Sequence, residues 1–412
     1  MKKISAILLL ICLLLSVSGC SEKEKVTPVA DEEKVFVEKK EKIAEIVETK
    51  EEKDAVDEIL SEMTLEEKVW QLMFVKPESI TKVGLVEAAG EKTKEALMKY
   101  PVGGIIYFKQ NLKNRDQVIE MIANTQSYSK IPLFISVDEE GGLVSRIGSQ
   151  PQLGTKKQPA MAEIGATGDP ANAYAAGKQI ASDIKALGFN VDFAPVADVL
   201  VNENNTEIGS RSFGSDPEIV SPMVENAVKG FQENGVSATL KHFPGQGSTA
   251  GYTDRGETEL NRTLDELRST ELKPFKAGID AGADFVMMSG SYPIKITGED
   301  IPCVLSPQIV QDILVKELGF EGIIISDTLQ EGAVPKYKAR VDAENEGSGK
   351  PEVKMYVMVL QAGNDMLLLP ENLDEAHKEI MDAVKSGELT EERIDQSVRK
   401  ILKLKIEKGL WK

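Results

Sequence analysis

The stretch that decides the fold is IPLFISVDEEGG, residues 131–142. It contains a run of mostly apolar residues from Leu133 to Val137, followed at once by three acidic residues and two glycines. A short, continuous apolar run of this kind is typical of a strand covered on both faces, as the strands of a parallel sheet are. We therefore predict a buried strand with carboxylates at its carboxyl end.

Seven further runs of the same character recur along the chain, with amphipathic stretches between them. The runs are Trp70–Val75, Gly103–Phe108, Val191–Ala194, Ser237–Leu240, Phe285–Ser289, Gly322–Ser326 and Asp365–Leu369. Helical spacing is found at Asp116–Ser129, Ala171–Leu187, Pro217–Asn234, Thr263–Ala281, Pro307–Leu318 and Glu352–Ala362. Eight strand-helix units predict an α/β fold, a single TIM-type (β/α)8 barrel. An open, doubly wound sheet is the alternative, although no Gly-rich dinucleotide or GxxxxGK(S/T) signature supports nucleotide binding.

The amino-terminal residues have the order of an export signal. Two lysines precede an apolar run, Ile4–Val17, which is short for a membrane span. The following VSGC, residues 17–20, resembles the lipobox of bacterial lipoproteins, which implies removal of residues 1–19 and acylation of Cys20. We therefore expect an extracytoplasmic bacterial lipoprotein with a lipid anchor to the membrane. The alternative is an ordinary signal with an incidental cysteine.

Residues 20–55 are dense in Lys and Glu and poor in large apolar side chains. Such a composition buries too little apolar surface to offset the entropy of ordering. We predict a charged tether that is disordered or forms a frayed, solvated helix, with the clearest helical spacing near residues 43–56. The barrel domain would then comprise residues 56–412.

The composition excludes several classes of function. A formal net charge of −18 argues against nucleic acid as a partner, because phosphates are held by clustered Lys and Arg. The chain has two histidines, His242 and His377, so a His-based metal site is disfavoured, and we expect no metal and no cofactor. Its three cysteines provide no disulfide framework. We expect a monomer, although no sequence feature fixes the oligomeric state.

Polar residues follow four of the predicted strands directly or within the next loop. Because active sites of barrel enzymes lie at the carboxyl ends of the strands, we expect these side chains to share one concave mouth. Carboxylates and cations there suit a neutral, hydroxyl-rich ligand and a transition state with oxocarbenium character. Each residue alone has a simpler explanation as a helix cap or a solvated charge. They are Asp138 and Arg146 after the third run, Asp198 and Arg211 after the fourth, Lys241 and His242 after the fifth, and Asp327 after the seventh.

Several motifs resemble those of family 3 of the glycoside hydrolases, in its β-N-acetylglucosaminidase branch. The similarity extends from about Val56 to the carboxyl terminus, and the motifs are VDEEGG at 137–142, FAPVAD at 193–198, IGSRSFG at 208–214, KHFPG at 241–245 and ISD at 325–327. The resemblance implies a carbohydrate substrate and a retaining double displacement with Asp327 as nucleophile. It also implies that five residues hold the sugar: Asp138, Arg146, Arg211, Lys241 and His242. A buried structural histidine is the alternative for His242.

One loop departs from the pattern of the family. Members of this branch place a general acid/base histidine after the fifth strand, with an orienting aspartate two residues before it. Here Asp254 stands at the position of the histidine and Tyr252 at the position of the aspartate. Neither histidine of the chain lies in this loop. Asp254 would serve as the acid/base if burial raises its pKa, and Glu257 is a second candidate. Two alternatives stay open: activity confined to substrates with good leaving groups, or a barrel that binds sugar without turnover.

The stretch from Gly332 to Gly349 is rich in polar residues. We predict a surface loop over the barrel mouth there. Its basic residues Lys336, Lys338 and Arg340 would either contact an acidic peptide stem of a cell-wall fragment or be solvated charges.

Overall fold

A computed structural model describes residues 29–251, 256 and 258–411. Its centre is a sheet of eight parallel strands in the order β10-β1-β2-β3-β6-β7-β8-β9. These strands are β1 Met73–Val75, β2 Gly104–Ile106, β3 Phe134–Val137, β6 Val191–Asp192, β7 Ser237–Phe243, β8 Phe285–Met288, β9 Ile323–Ile325 and β10 Leu367–Leu368. A parallel bridge between Ile325 and Met366 joins the two edge strands. The sheet therefore curves into a nearly closed barrel, which confirms the predicted TIM-type (β/α)8 fold.

Each predicted apolar run overlaps one of the barrel strands, and two runs need a correction. Strand β7 continues beyond the fifth run to Phe243, so Lys241 and His242 lie within this strand and not after it. The first run starts with helical residues. Its residues Trp70 and Gln71 belong to a helix, Leu65–Gln71. A capping box starts this helix, because Thr64 Oγ1 accepts from the N–H of Glu67 and the Glu67 carboxylate accepts from the N–H of Thr64. Local capping thus overrides the apolar pattern at the start of the run.

Helices surround the barrel. They are α1 Val29–Thr49, α2 Glu52–Glu62, α3 Leu65–Gln71, α4 Pro77–Thr81, α5 Glu91–Lys99, α6 Arg115–Tyr128, α7 Met161–Gly165, α8 Pro170–Lys185, α9 Pro217–Gln232, α10 Leu264–Ser269, α11 Leu272–Asp280, α12 Ile294–Thr297, α13 Ala333–Asn345, α14 Met355–Ala362, α15 Leu373–Ser386 and α16 Glu391–Glu407. A π-helix spans Gln308–Glu317. The predicted helix Thr263–Ala281 is divided between α10 and α11, because Glu271 turns inward between them and contacts Arg262 at 3.0 Å.

Aromatic side chains from non-neighbouring strands fill the barrel interior. Phe74 of β1 contacts Phe193 beyond β6, with ring centroids 5.3 Å apart. Phe134 of β3 contacts Phe285 of β8, with centroids 5.2 Å apart. Because these strands are not adjacent in the sheet, both contacts cross the interior and pack it as a core. A ligand site is therefore expected at an end of the barrel.

Helix α16 covers the amino-terminal ends of the strands. Lys405 Nζ donates to Oε1 of Gln71 at 2.8 Å and lies over the ring of Phe134, at the base of the barrel. Lys408 pairs with Asp284, the residue before β8, at 2.6 Å. These contacts close the base and leave the carboxyl ends of the strands as the open mouth.

The predicted tether is in part a docked helix. In α1, Ile43 and Ile46 are each 5% exposed and belong to the main apolar core. Lys39 pairs with Glu67 at 3.4 Å, and Lys40 Nζ donates to a carbonyl at the end of α6. The expectation of a disordered or solvated segment is therefore corrected for residues 33–49. The few apolar side chains share one face of the helix, a pattern that the overall composition conceals.

The predicted signal segment, residues 1–19, and Cys20 lie outside the described residues. In the described part of the chain, no helix combines the length and the apolar character needed to cross a membrane.

The polar stretch after Asp327 forms helix α13, so the prediction of a surface loop is wrong. Val334 and Tyr337 lie three residues apart and are buried against the core. That spacing gives the helix an apolar face. Lys338 and Arg340 each pair with a neighbouring carboxylate, at 2.6 and 2.8 Å. Both basic side chains are thus engaged within the protein.

Candidate active site

The mouth of the barrel contains a cavity of about 440 Å³. Its lining includes six residues selected from the sequence: Asp138, Arg146, Arg211, Lys241, His242 and Asp327. Apolar side chains beyond the strand ends, among them Phe108 and Phe193, complete the wall. Tyr252, Asp254 and Glu257 lie outside the described residues. The structure therefore brings the predicted sugar-binding residues and the predicted nucleophile into one cavity.

Four charged side chains form an ionic cluster on one wall. Lys241 Nζ donates to Oδ1 of Asp138 at 3.0 Å and contacts Oε1 of Glu140 at 2.6 Å. Arg211 donates twice to the Glu140 carboxylate, from Nε at 2.8 Å and from Nη2 at 2.9 Å. Two parallel, charge-assisted hydrogen bonds between planar groups fix the orientation of both partners. Glu140 thus sets the positions of Arg211 and Lys241.

Glu140 is not among the site residues predicted from the sequence. In an extended chain, residues 138 and 140 point to the same side while residue 139 points to the other. The two carboxylates in VDEEGG were therefore a signal for a shared site. Arg211 lies 71 residues further along the chain, and only the folded barrel shows that it binds Glu140.

The pair formed by Glu140 and Lys241 remains ionised at neutral pH. Burial alone would raise the pKa of Glu140, but Arg211 and Lys241 together lower that pKa well below the ordinary range. Burial alone would lower the pKa of Lys241, whereas Asp138 and Glu140 raise it. The two positive charges of Arg211 and Lys241 face the two carboxyl groups of Asp138 and Glu140. This wall therefore presents fixed donors and acceptors to a ligand at little net charge.

His242 lines the cavity with its ring held by a buried aspartate. Nδ1 of His242 lies 2.9 Å from Oδ2 of Asp198, which is fully buried. A carboxylate only accepts, so Nδ1 carries the proton in this bond and the other ring nitrogen, Nε2, is left for the cavity side. The N–H of Gln246 also donates to Asp198, at 2.6 Å. His242 is thus buried and hydrogen bonded, as the structural alternative required, and it also belongs to the cavity wall.

Arg146 reaches the cavity from a hairpin formed by β4, Glu139–Gly141, and β5, Val144–Ser145. The turn requires glycine: φ is +85° at Gly141, where a Cβ would lie 2.8 Å from the carbonyl oxygen of Pro159. Among the described residues, Arg146 Nε is buried without a hydrogen-bond partner. A buried donor of this kind is costly unless a ligand offers an acceptor.

Asp327 lies across the mouth from Asp138 and Glu140. It follows β9, and β9 is opposite β3 in the strand order of the barrel. The N–H of Thr328 donates to Oδ1 of Asp327 at 2.7 Å, which orients the carboxylate. A ligand bound to Asp138 would therefore have the Asp327 carboxylate on its far side.

The loop after β7 is anchored to the rim on both sides of its undescribed segment. At its start, the carbonyl of Gln246 accepts from Asn205 Nδ2 at 2.7 Å. At its end, the N–H of Tyr292 donates to the carbonyl of Thr258, and the N–H of Leu260 donates to the carbonyl of Tyr292, both at 2.8 Å. These hydrogen bonds hold the first and last described parts of the loop against neighbouring loops.

Across the described ranges, no group of three or more His, Cys, Asp or Glu side chains is placed to hold a metal ion. The fold and the site define a (β/α)8-barrel protein whose mouth suits a neutral, polyhydroxylated ring, with one carboxylate opposite its polar wall. A model of the glycosyl hydrolase family 3 N terminal domain matches residues 64–404. The chain belongs to glycosyl hydrolase family 3.

Known relatives agree with this assignment. A beta-hexosaminidase of Stenotrophomonas maltophilia (strain R551-3) is 38% identical over 289 residues, which cover 67% of this chain and 78% of that protein. A family 3 β-N-acetylglucosaminidase structure from Paenibacillus sp. str. FPU-7 has a TM-score of 0.74 at 34% identity, covering 84% of this chain and 63% of that one. The β-N-acetylhexosaminidase structure from Beutenbergia cavernae DSM 12333 has a TM-score of 0.71 at 26% identity, covering 84% and 99%. The chain is accordingly a glycoside hydrolase of the hexosaminidase type.

Proposed function

We propose that this protein hydrolyses terminal β-linked N-acetylhexosamine by a retaining double displacement. The observation that carries the proposal is the cavity whose lining contains both the ionic cluster and Asp327. Asp327 attacks the anomeric carbon while the bond from that carbon to the aglycone oxygen breaks, and the oxygen takes a proton from a general acid. Water then attacks the glycosyl-enzyme ester, gives a proton to the same group, and releases Asp327.

Five side chains would hold the sugar in this mechanism. Asp138 accepts from ring hydroxyls, and Arg146, Arg211 and Lys241 donate to them. His242 binds through the nitrogen that Asp198 leaves free. The fixed geometry of the cluster favours binding because little conformational entropy is lost when the sugar arrives.

Asp254 is our proposal for the general acid and base, with Tyr252 as its positioning neighbour. Both belong to the loop that follows Lys241 and His242, and these two residues line the cavity. A carboxylic acid performs this step in other glycosidases when desolvation raises its pKa towards the working pH. Glu257 is the alternative on the same loop.

The nucleophile is tested by hydrolysis of nitrophenyl N-acetylglucosaminide. We expect Asp327→Asn to lower kcat by about 10⁴-fold, because the amide is not a nucleophile. Asp265→Asn is the matched control, since this side chain is 93% exposed on the outer surface, and it should turn over like the wild type. Equal activity of Asp327→Asn and the wild type would refute the assignment.

The acid is tested by comparing two leaving groups. Loss of a general acid should reduce hydrolysis of an alkyl glycoside about 10²- to 10⁴-fold and affect a nitrophenyl glycoside far less, because nitrophenolate leaves without a proton. Asp254→Ala and Glu257→Ala should differ in this respect. Equal losses on both substrates for Asp254→Ala would exclude Asp254.

A second candidate function is sugar binding without turnover, favoured by the absence of a histidine from the loop. Calorimetric binding of N-acetylglucosamine together with no nitrophenol release by the wild type would select this function over hydrolysis.

We also propose that Cys20 is acylated and holds a monomeric enzyme on the outer face of a bacterial cytoplasmic membrane, where cell-wall fragments are its substrates. The signal-like order of residues 1–20 supports this. Cell fractionation should find the wild type with membranes and Cys20→Ser in the soluble fraction. A wild type in the cytosol would contradict export, and unchanged membrane association of Cys20→Ser would contradict the anchor.

A further inference from the structure

The acidic residue between Asp138 and Glu140 points away from the cavity. Glu139 is 3% exposed and is absent from the cavity lining. Its own N–H donates to Oδ1 of Asp192 at 2.9 Å, and Asp192 is a buried residue of the barrel strand β6. The backbone of Glu139 is thus tied to the rigid barrel.

The Glu139 carboxylate binds the hairpin on both sides of Arg146. Oε1 accepts from Ser145 Oγ at 2.6 Å and from the N–H of Gly148 at 3.2 Å. Oε2 accepts from the N–H of Ile147 at 2.7 Å. Residues 145, 147 and 148 therefore share one acceptor group, and Arg146 lies in the middle of the segment that this group holds.

The packing around this carboxylate is close. A Cβ on Gly148 would lie 2.8 Å from Oε1 of Glu139 and 2.9 Å from the Cα of Lys157, so a side chain here would force the carboxylate or the neighbouring backbone to move. In the described part of the chain, no lysine or arginine forms an ion pair with this carboxylate, and burial raises the pKa of Glu139 in spite of its hydrogen bonds. Burying a carboxylate lowers the stability of the folded state unless its oxygens accept hydrogen bonds. Loss of these oxygens would leave backbone N–H groups beside Arg146 without acceptors.

We propose that Glu139 is a positioning residue for Arg146: its carboxylate holds the hairpin in the conformation that places the Arg146 guanidinium in the cavity. The inference rests on the sugar-binding role proposed above for Arg146. Glu139 does not contact the ligand. Its backbone is hydrogen bonded to the barrel strand β6, and its carboxylate fixes the segment that carries Arg146. The three carboxylates of VDEEGG therefore have different roles. Asp138 and Glu140 belong to the ionic cluster, and Glu139 binds the hairpin.

The test measures the affinity for N-acetylglucosamine by titration calorimetry, which needs no turnover. Glu139→Gln keeps the shape but replaces one acceptor oxygen by an amide donor, so at least one of the three hydrogen bonds is lost. We expect Kd to rise about 10-fold. Arg146→Ala should weaken binding at least as much, and adding Glu139→Gln to Arg146→Ala should change Kd by less than about 2-fold, because the positioned group is already gone.

Glu379→Gln is the matched control. Oε1 of Glu379 accepts from the N–H groups of Tyr356 and Val357, at 2.9 and 3.0 Å, away from the cavity. It should lower stability without changing Kd. Amide hydrogen exchange at Ile147 and Gly148 should accelerate in Glu139→Gln and stay unchanged in the control. If Glu139→Gln does not fold, Ser145→Ala removes a single bond to the same carboxylate and should raise Kd about 3-fold.

The possible results distinguish a failure of the sugar-binding role proposed for Arg146 from a failure of the positioning role proposed for Glu139. Wild-type affinity in Arg146→Ala would refute the role proposed for Arg146 in sugar binding. Weakened binding in Arg146→Ala with wild-type affinity in Glu139→Gln would overturn the positioning role alone. An equal loss from Glu139→Gln in both backgrounds would also overturn it, because the effect would then not act through Arg146.

Discussion

Replacing Glu140 by glutamine would leave the buried Lys241 and the partly buried Arg211 facing a neutral amide. The carboxylate accepts two hydrogen bonds from Arg211, at 2.8 and 2.9 Å, and contacts Lys241 Nζ at 2.6 Å. Glutamine retains one acceptor oxygen and turns an NH₂ donor towards the remaining donors. Removing one partner of a buried ion pair costs about 3–5 kcal/mol, because the other charge stays desolvated. We therefore expect Glu140→Gln to lower the free energy of unfolding by about 3–5 kcal/mol.

The assay is urea unfolding followed by circular dichroism, with wild type and variant compared at the same pH. Glu225→Gln is the matched control, since Glu225 pairs with Lys229 at 2.6 Å on the solvent side of α9. Exposed pairs contribute about 0–1 kcal/mol, so this variant should stay within about 0.5 kcal/mol of the wild type. A loss below about 1 kcal/mol for Glu140→Gln would refute the reasoning, because a buried cluster would then behave like a surface pair.

Three further predictions concern the cluster, His242 and the barrel core. The folded-state pKa of Glu140 lies below its ordinary value of 4.5, so its contribution to stability is present above that pH and is lost as the pH falls through the lowered folded-state pKa. In urea titrations at decreasing pH, the difference between wild type and Glu140→Gln should therefore shrink, and a difference that grows on acidification would contradict the sign. Asp198→Asn removes the anionic acceptor of the His242 ring proton and should raise Kd for N-acetylglucosamine about 10-fold, with altered ring-nitrogen chemical shifts in NMR spectra; unchanged affinity and shifts would contradict the role of Asp198. Phe74→Ala opens a cavity beside Phe193 and should cost about 3–5 kcal/mol in thermal unfolding with little change in Kd, whereas a large rise in Kd would show that the core and the mouth are coupled.

The barrel could be predicted because its strands are buried on both faces. Runs such as Leu133–Val137 are apolar at most positions and show no alternation of polar and apolar residues. This pattern identifies strands that are buried on both faces without any knowledge of their neighbours. Helix α1 could not be predicted as docked, because its Ile43 and Ile46 are few among many Lys and Glu residues. What decides their burial is the barrel surface that they contact, which lies elsewhere in the chain.

The positions of the site residues could be predicted because barrels gather the ends of their strands at one mouth. The role of Glu140 could not, since it depends on Arg211 approaching from a loop 71 residues away. The helix after Asp327 was missed for a similar reason: its glycine, proline and polar neighbours indicate a loop, and burial of Val334 and Tyr337 against the core outweighs that local preference. The catalytic roles themselves stay predictions.

The contact between Lys405 and Gln71, across 334 positions of sequence, has a consequence for biosynthesis. A ribosome releases β1 to β9 long before α16, so the nascent polypeptide carries an uncovered barrel base for most of its translation. Contacts of such high sequence separation form late and slowly, and the exposed apolar ends are open to aggregation in the meantime. Chaperone dependence should therefore end only when residues near 405 have been added. Pulse-labelled chains truncated before and after α16 would show this as a step in protease resistance.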